Sequence, residues 1–289
     1  MHKPMPPLDP RVTPWRADIA AKHLEGKVKA AHFAEGRTME VIAPQAPLRR
    51  EPRPDAPLDT EALKGERATI YDANAEGWVW GQLAGDHYVG WLPSAALAPP
   101  GPAPTHKVRA LRTLVFPGPS IKLPPVEALP FGAALSIART EDRLAITPSG
   151  AYVPAAHLAP IGDNERDFVA VAERFVGTPY LWGGKTALGL DCSGLVQIAL
   201  SACGLPCPRD SDMQERALGA PLDHKSPSFE LKRGDIVFWA GHVAVARDRY
   251  SLVHANAFHM AVVIEPFDDA IARIRGMGSE ITSARRLRA

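Results

Sequence analysis

The chain has 289 residues, 46% hydrophobic and 22% charged, ordinary proportions for a globular protein long enough to hold two or three domains. Its 33 basic and 32 acidic residues give a net charge of +1, so no electrostatic footprint for nucleic acid or an anionic membrane is present. Three cysteines, Cys192, Cys203 and Cys207, are too few for a disulfide framework, and no ligand set for a metal or cofactor stands out.

Met1–Pro7 lacks the apolar stretch of a signal peptide, and no run reaches the ~20 apolar residues that span a bilayer. A cytoplasmic location is the expectation. Thr13-Pro14 reads as a helix start by the capping and first-turn rules, with the helix running to about Phe33 inside an N-terminal extension, residues 1–42. Proline then divides the chain: 23 of 29 fall in residues 1–160. That density forbids long helices and points to short strands.

The same half repeats itself. Pro93-Ser94-Ala95-Ala96-Leu97-Ala98-Pro99 recurs as Pro154-Ala155-Ala156-His157-Leu158-Ala159-Pro160, and Val41-Ile42-Ala43 echoes Val108-Arg109-Ala110. Two copies are too few for a solenoid and fit two small β-barrels in tandem. The aromatic strands of the first copy, Trp78-Val79-Trp80 and Tyr88-Val89-Gly90-Trp91, end in a Gly-Trp-Leu-Pro unit that resembles bacterial SH3-like domains. The two are expected at 43–100 and 104–160.

The last segment, 161–289, changes character. Asp163 or Asn164 is expected to cap a helix with Phe168, Val171, Ala172 and Phe175 on one face, stopped by Gly177 and Pro179. A second helix runs from near Cys192 to Gly204. Strands follow at Ile236–Trp239, His242–Ala246, Ser251–Ala255 and Ala261–Ile264, which makes this segment α+β. Cys203 and Cys207 read as ordinary buried thiols, and Arg285-Arg286-Leu287-Arg288 as a solvated tail.

Cys192 stands between Asp191 and Ser193-Gly194 at a helix entrance, where the positive helix end favours the nucleophilic thiolate. A base must come from elsewhere in the chain. His242 opens one strand and His254 closes the next, equidistant from Asp248 in the intervening turn. In that register the two rings are directly opposed, so one imidazole can fix the tautomer of the other. A slip of two residues would put Asn256 in place of His254. His259 is out of phase.

The segments Thr178-Pro179-Tyr180, Trp182-Gly183-Gly184, Asp191-Cys192-Ser193-Gly194, Pro208-Arg209-Asp210-Ser211, Leu231-Lys232-Arg233-Gly234-Asp235 and Gly241-His242-Val243 resemble, in order and spacing, the NlpC-type cell-wall cysteine peptidases. The resemblance implies a papain-like fold, with helices packed on an antiparallel sheet, preceded by the two SH3-like barrels. It implies a Cys192-His242-His254 triad, with Tyr180 at the oxyanion site. The tandem SH3-like arrangement resembles the subgroup that cleaves after D-γ-glutamate in wall peptides with a free N-terminal L-Ala. Its implied substrate contacts are Asp191, Ser193 and Ser211, with Tyr88 and Glu51 from the first SH3-like domain. Tyr88 reads equally well as barrel packing and Glu51 as a solvated charge. The expected partner is thus a murein peptide, with no nucleic acid, membrane or obligate protein partner. A hydrolase of intact wall anchored by its SH3-like domains, a catalytically dead binding module and an acyltransferase are the alternatives.

Overall fold

A computed structural model of the chain describes residues 8–226 and 228–287; the readings made on Met1–Pro7 and Arg288 lie outside them. The chain forms two compact units. The first takes the residues up to 106 with 115–129 and 133–153; the second takes 107–114, 130–132 and everything from 154 on.

In the first unit seven strands form one antiparallel sheet in the spatial order 58–63, 45–49, 89–93, 78–83, 67–73, 37–41 and 97–98. Period-two alternation sends Val41, Leu48, Leu83, Tyr88, Leu92 and Leu97 into a common core. Residues 13–33 correct the expected helix. They form short parallel strands, Ile19–Ala21 and His32–Ala34, around a single 3₁₀ turn, Lys22–Leu24. Gly26 at φ +79° breaks any helical path. The segment's apolar residues are instead buried in a cluster with Phe33 and Tyr71. Arg16 lies over the rings of Trp80 and Trp91, 4.6 and 4.9 Å from their centroids, and pairs with Asp18 and Asp72.

The repeated sequence folds twice into the same local structure. A strand ending at Pro93 or Pro154 runs into a 3₁₀ turn, Ser94–Ala96 or Ala155–His157, and then into another short strand. Ile42 and Ala43 both donate to the Ala96 carbonyl at 2.9 and 3.4 Å; Arg109 and Ala110 donate to the His157 carbonyl at the same two distances. Gly65 donates to Val41 as Gly132 does to Val108, each with φ +85°.

In the second unit, six antiparallel strands are ordered 220–222, 281–286, 235–239, 242–246, 251–256 and 261–266. Helices cover both faces, which is why the inner strands are apolar almost throughout. Helix α1 (Phe168–Glu173) and helix α2 (Cys192–Ala202) pack on Ile236, Phe238, Val243, Val245 and Val253. Helix α3 (Ser211–Ala217) follows α2, and helix α4 (Phe267–Gly276) packs Ala270 and Ile274 on Val237, Ala244 and Leu252 of the other face. The cap of α1 is Asp167, whose carboxylate accepts from Val169 and Ala170, not the expected Asp163 or Asn164. Nor are Arg285 and Arg286 a tail. They belong to the strand 281–286, and Arg286 holds buried Asp235 through two bonds of 2.6 and 2.7 Å.

Candidate active site

Cys192 is the first residue of α2 and is buried. Asp191 caps the helix: its carboxylate accepts from the backbone of Gly194 at 2.6 Å and of Gly183 at 2.8 Å. The same carboxylate receives a fork from Arg209, 2.9 and 2.7 Å, and Arg209 also donates to the Ser193 hydroxyl at 2.8 Å. Arg209 is 1% exposed, so this is a fully desolvated ion pair with its remaining valences filled. The loop and helix meet so closely that a Cβ on Gly194 would lie 2.3 Å from the Gly184 carbonyl oxygen. A Cβ on Gly184 would lie 2.4 Å from the Gly189 carbonyl oxygen, so Gly184 and Gly194 are both packing requirements for seating Cys192.

The hairpin that carries the two histidines closes one step later than the sequence suggests. Asp248 accepts from the backbone of Tyr250 and Ser251, and Arg247 donates to the Ser251 carbonyl, so the turn centres on Arg249. The pairs become Val245 with Val253 and Ala246 with Leu252. Extended, this register sets His242 opposite Asn256 and His254 diagonal to it, correcting the expected direct opposition. The rings still meet, His242 Nε2 to His254 Nδ1 at 3.0 Å. Behind them His254 Nε2 reaches Glu265 at 2.9 Å, and Arg273 of α4 grips that carboxylate at 2.9 and 2.7 Å.

Residues 177–277 match the NlpC/P60 family. This chain carries an NlpC/P60 domain. Residues 48–97 match the bacterial dipeptidyl-peptidase SH3 domain family. A gamma-D-glutamyl-L-lysine dipeptidyl-peptidase of Bacillus cereus is 24% identical over 73% of this chain and 71% of its own length. Dipeptidyl-peptidase 6 of Lysinibacillus sphaericus is 35% identical over 35% of this chain, and the match spans about a third of the relative, 36%. A solved NlpC/P60 family protein from Bacillus cereus shares the fold, with a TM-score of 0.72, 22% identity and coverage of 86% of this chain and 99% of that one.

Electrostatics set the resting state of the NlpC/P60 site. Burial pushes the Cys192 thiol up to about 12, and the Asp191 carboxylate adds to it; the backbone N–H groups of Val243 and Ser193 oppose, but more weakly. Burial likewise pushes His242 down to about 3, with the cationic form of His254 and Arg273 acting in the same direction. The helix entrance therefore does not hold a free thiolate, as the sequence suggested. Burial thus favours the thiol form of Cys192 and the neutral form of His242.

The tautomer of His242 is set from the far end of this hydrogen-bond chain. Burial would raise the Glu265 carboxyl, but its bonds from Arg273 and His254 outweigh this and hold it at about 2. An ionised carboxylate only accepts, so His254 carries its proton on Nε2 and offers Nδ1 as acceptor. His242 must then donate from Nε2, which leaves Nδ1 as the basic nitrogen. Asn256 Nδ2 also lies 3.1 Å from His254 Nε2, but its amide is fixed by His259, which donates to Asn256 Oδ1 at 2.8 Å. The shorter, charge-assisted bond to Glu265 decides the tautomer.

The other expected residues separate. Tyr180 is half-buried, and burial first, then Cys192 and Asp191, keep its hydroxyl protonated and able to donate. Ser211 opens α3 and is half-buried. Asp191 and Ser193 are both engaged by Arg209. In the first unit Tyr88 is 4% exposed within the barrel core, while Glu51 is exposed and paired with Arg53 at 2.8 Å. Sequence reasoning placed Arg209 in a matched stretch without giving it a role, and passed over Glu265 and Arg273. The signal for Glu265 was an acid in an otherwise apolar strand, 261–266.

Proposed function

We propose that this protein hydrolyses the γ-D-glutamyl–diamino-acid bond of short wall peptides with a free N-terminal L-Ala. At the coarser level it is a hydrolase of the NlpC/P60 peptidase kind, as the matched domain and its relatives support. The observation that carries the chemistry is the 3.0 Å contact that orients His242 in the same domain as helix-entrance Cys192. Cys192 gives its proton to His242 as the Sγ–C bond forms. His242 returns that proton to the departing amine as the C–N bond breaks, and water then releases the acyl group by the reverse sequence. Tyr180 and backbone N–H groups at Cys192 are the proposed partners of the oxyanion.

The requirement for a free amine rests on the family resemblance and on the dipeptidyl-peptidase names of the relatives. It does not rest on Asp191, whose charge is already answered by Arg209. Ser211 is the proposed contact to the acyl part, with Asp191 and Ser193 acting through the frame they build with Arg209. Tyr88 and Glu51 enter as residues to substitute in the same assay. Residues 104–160 are proposed as a second SH3-like copy, on the strength of the repeated hydrogen bonds. Mass spectrometry of defined peptides tests the reading. L-Ala-γ-D-Glu-diamino-acid peptides should release L-Ala-γ-D-Glu, while N-acetylated peptides and whole sacculi should stay intact. Equal kcat/KM on free and acetylated peptides would favour action on intact wall over the proposed turnover of free wall peptides in the cytoplasm.

A further inference from the structure

Asn256 stands where two opposite demands on His254 meet. It is 5% exposed, and the backbone N–H of His259 donates to its Oδ1 at 2.8 Å, with the His259 Nδ1 on the same oxygen at 2.9 Å. A backbone N–H can only donate, so the amide is locked with Nδ2 toward His254, 3.1 Å from Nε2. That same nitrogen faces the Glu265 carboxylate at 2.9 Å. An anion and the positive end of an amide dipole thus act on one ring nitrogen. Resting on the Cys192–His242 reading above, we propose that Asn256 is a positioning residue, whose amide offsets Glu265 and keeps His254 neutral.

Neutrality matters because His254 works as an acceptor. An imidazolium donates from both nitrogens. It would make His254 Nδ1 a donor, 3.0 Å from His242 Nε2, and drive the His242 proton onto Nδ1, the nitrogen needed as base. Glu265 by itself draws His254 toward that state. Burial is the largest influence against it, and Arg273 and His259 act in the same direction. Among the described residues, the titratable and charged groups facing the ring are His242 on strand 242–246, Glu265 on 261–266, Arg273 on α4 and His259 beyond the strand end. Helices α1 and α2 pack on the opposite face of the strand, through Val253 and Ala255. Asn256 adds an uncharged donor at Nε2 itself. With His242 and Tyr180 it also lines a cavity of about 440 Å³, so a changed side chain there meets existing space.

The test reads His254 directly, by its ring ¹⁵N shifts in NMR from about pH 4.5 to 8, beside kcat/KM over the same range. Asn256→Asp keeps the shape and sets a second carboxylate at Nε2. It should move the protonation of His254 upward by about one to three pH units, the effect of an opposite charge at that distance. The acid limb of kcat/KM should climb with it, so that the loss is larger at the acid end of the range than at pH 8. Asn256→Ser removes the amide without adding charge and should shift both readings the same way by less. A folded Asn256→Asp variant whose His254 protonates where wild type does, or lower, would overturn the proposal. So would an acid limb that stays in place while His254 shifts. Should no peptide be cut by wild type, the proposed function falls, and the NMR arm still decides whether Asn256 keeps His254 neutral.

Discussion

Glu265→Gln probes the wiring of the site with one atom changed. Glu265 Oε1 accepts from Arg273 Nε, and Oε2 accepts from both Arg273 Nη2 and His254 Nε2. A glutamine has one oxygen for these three donors. With its oxygen at the Oε2 position, its amide faces Arg273 Nε, donor against donor. Flipped, the amide donates to His254 Nε2, which moves the His254 proton to Nδ1 and drives His242 into the tautomer whose Nδ1 is already protonated. Either arrangement gives up a charge-assisted bond, worth about 1.5–3 kcal/mol, for a neutral one of about 0.5–1.5. A difference of about 1–2 kcal/mol corresponds to a loss in kcat of roughly 5- to 30-fold. Replacing the aspartate of a serine triad by asparagine costs about 10⁴, which sets the upper limit. KM should change little, because Glu265 does not line the cavity beside His242. Steady-state kinetics across pH, with near-UV circular dichroism to check folding, makes the measurement. The acid limb of kcat/KM should move down, since the anion that favours imidazolium is gone. A folded variant within twofold of wild type with an unmoved acid limb would refute the relay.

Four further outcomes follow from the same geometry. Cys192→Ala should fold normally and lose on the order of 10⁶ in rate; activity within tenfold of wild type would remove Cys192 as nucleophile. His254→Asn should keep more activity than His254→Ala, because an amide oxygen can still accept from His242 Nε2; two variants equal to wild type would exclude the second imidazole. Arg209→Met strands the Asp191 carboxylate in a buried site and should cost about 3–5 kcal/mol, read as a lower Tm; an unchanged Tm would show that the pair is not structural. Stability should fall on the acid side. An unfolded His242 takes its proton at 6.5 and the folded one only at about 3, so its contribution is full above 6.5 and is lost as the pH falls through 3. Glu265 acts with the same sign between 4.5 and about 2. A Tm that rises as the pH is lowered from 6.5 to 4.5 would contradict the His242 contribution, and one that rises from 4.5 to about 3 would contradict both.

What the sequence made legible was whatever depends on local pattern. The strands 235–239, 242–246, 251–256 and 261–266 were visible as apolar runs, and α2 as a stretch that ends before Gly204. Cys192, His242 and His254 stood out because their residue types are rare in those positions. The hairpin register was missed because it depends on where Asp248 sends its carboxylate, a choice that strand alternation does not encode. The partners of Asp191 and His254 were missed for a related reason. Arg209 and Glu265 are 18 and 11 residues away from the groups they fix, and only the assembled core brings them together. Residues 13–33 misled because Thr-Pro is a fair helix start, whereas Gly26 and the stacked Arg16 decide the outcome. Helix α4 carried a signal that went unread: Asp268 and Asp269 in its first turn, Arg273 and Arg275 in its last.

The stacking of Arg16 on Trp80 and Trp91 bears on how this protein can be handled. Trp80 and Trp91 are only 4% and 9% exposed, and part of that shelter is the guanidinium laid across both rings. A shortened chain beginning at Arg37 keeps every strand of the seven-stranded sheet, yet it bares two neighbouring indoles and strips Asp72 of its cation. Such a fragment should self-associate through that face, and a single Arg16→Ala change should reproduce the effect in milder form, visible as a red-shifted tryptophan emission. Residues 13–34 thus serve as a lid fixed to their own barrel, and trimming them to isolate a tidier domain would create a sticky one.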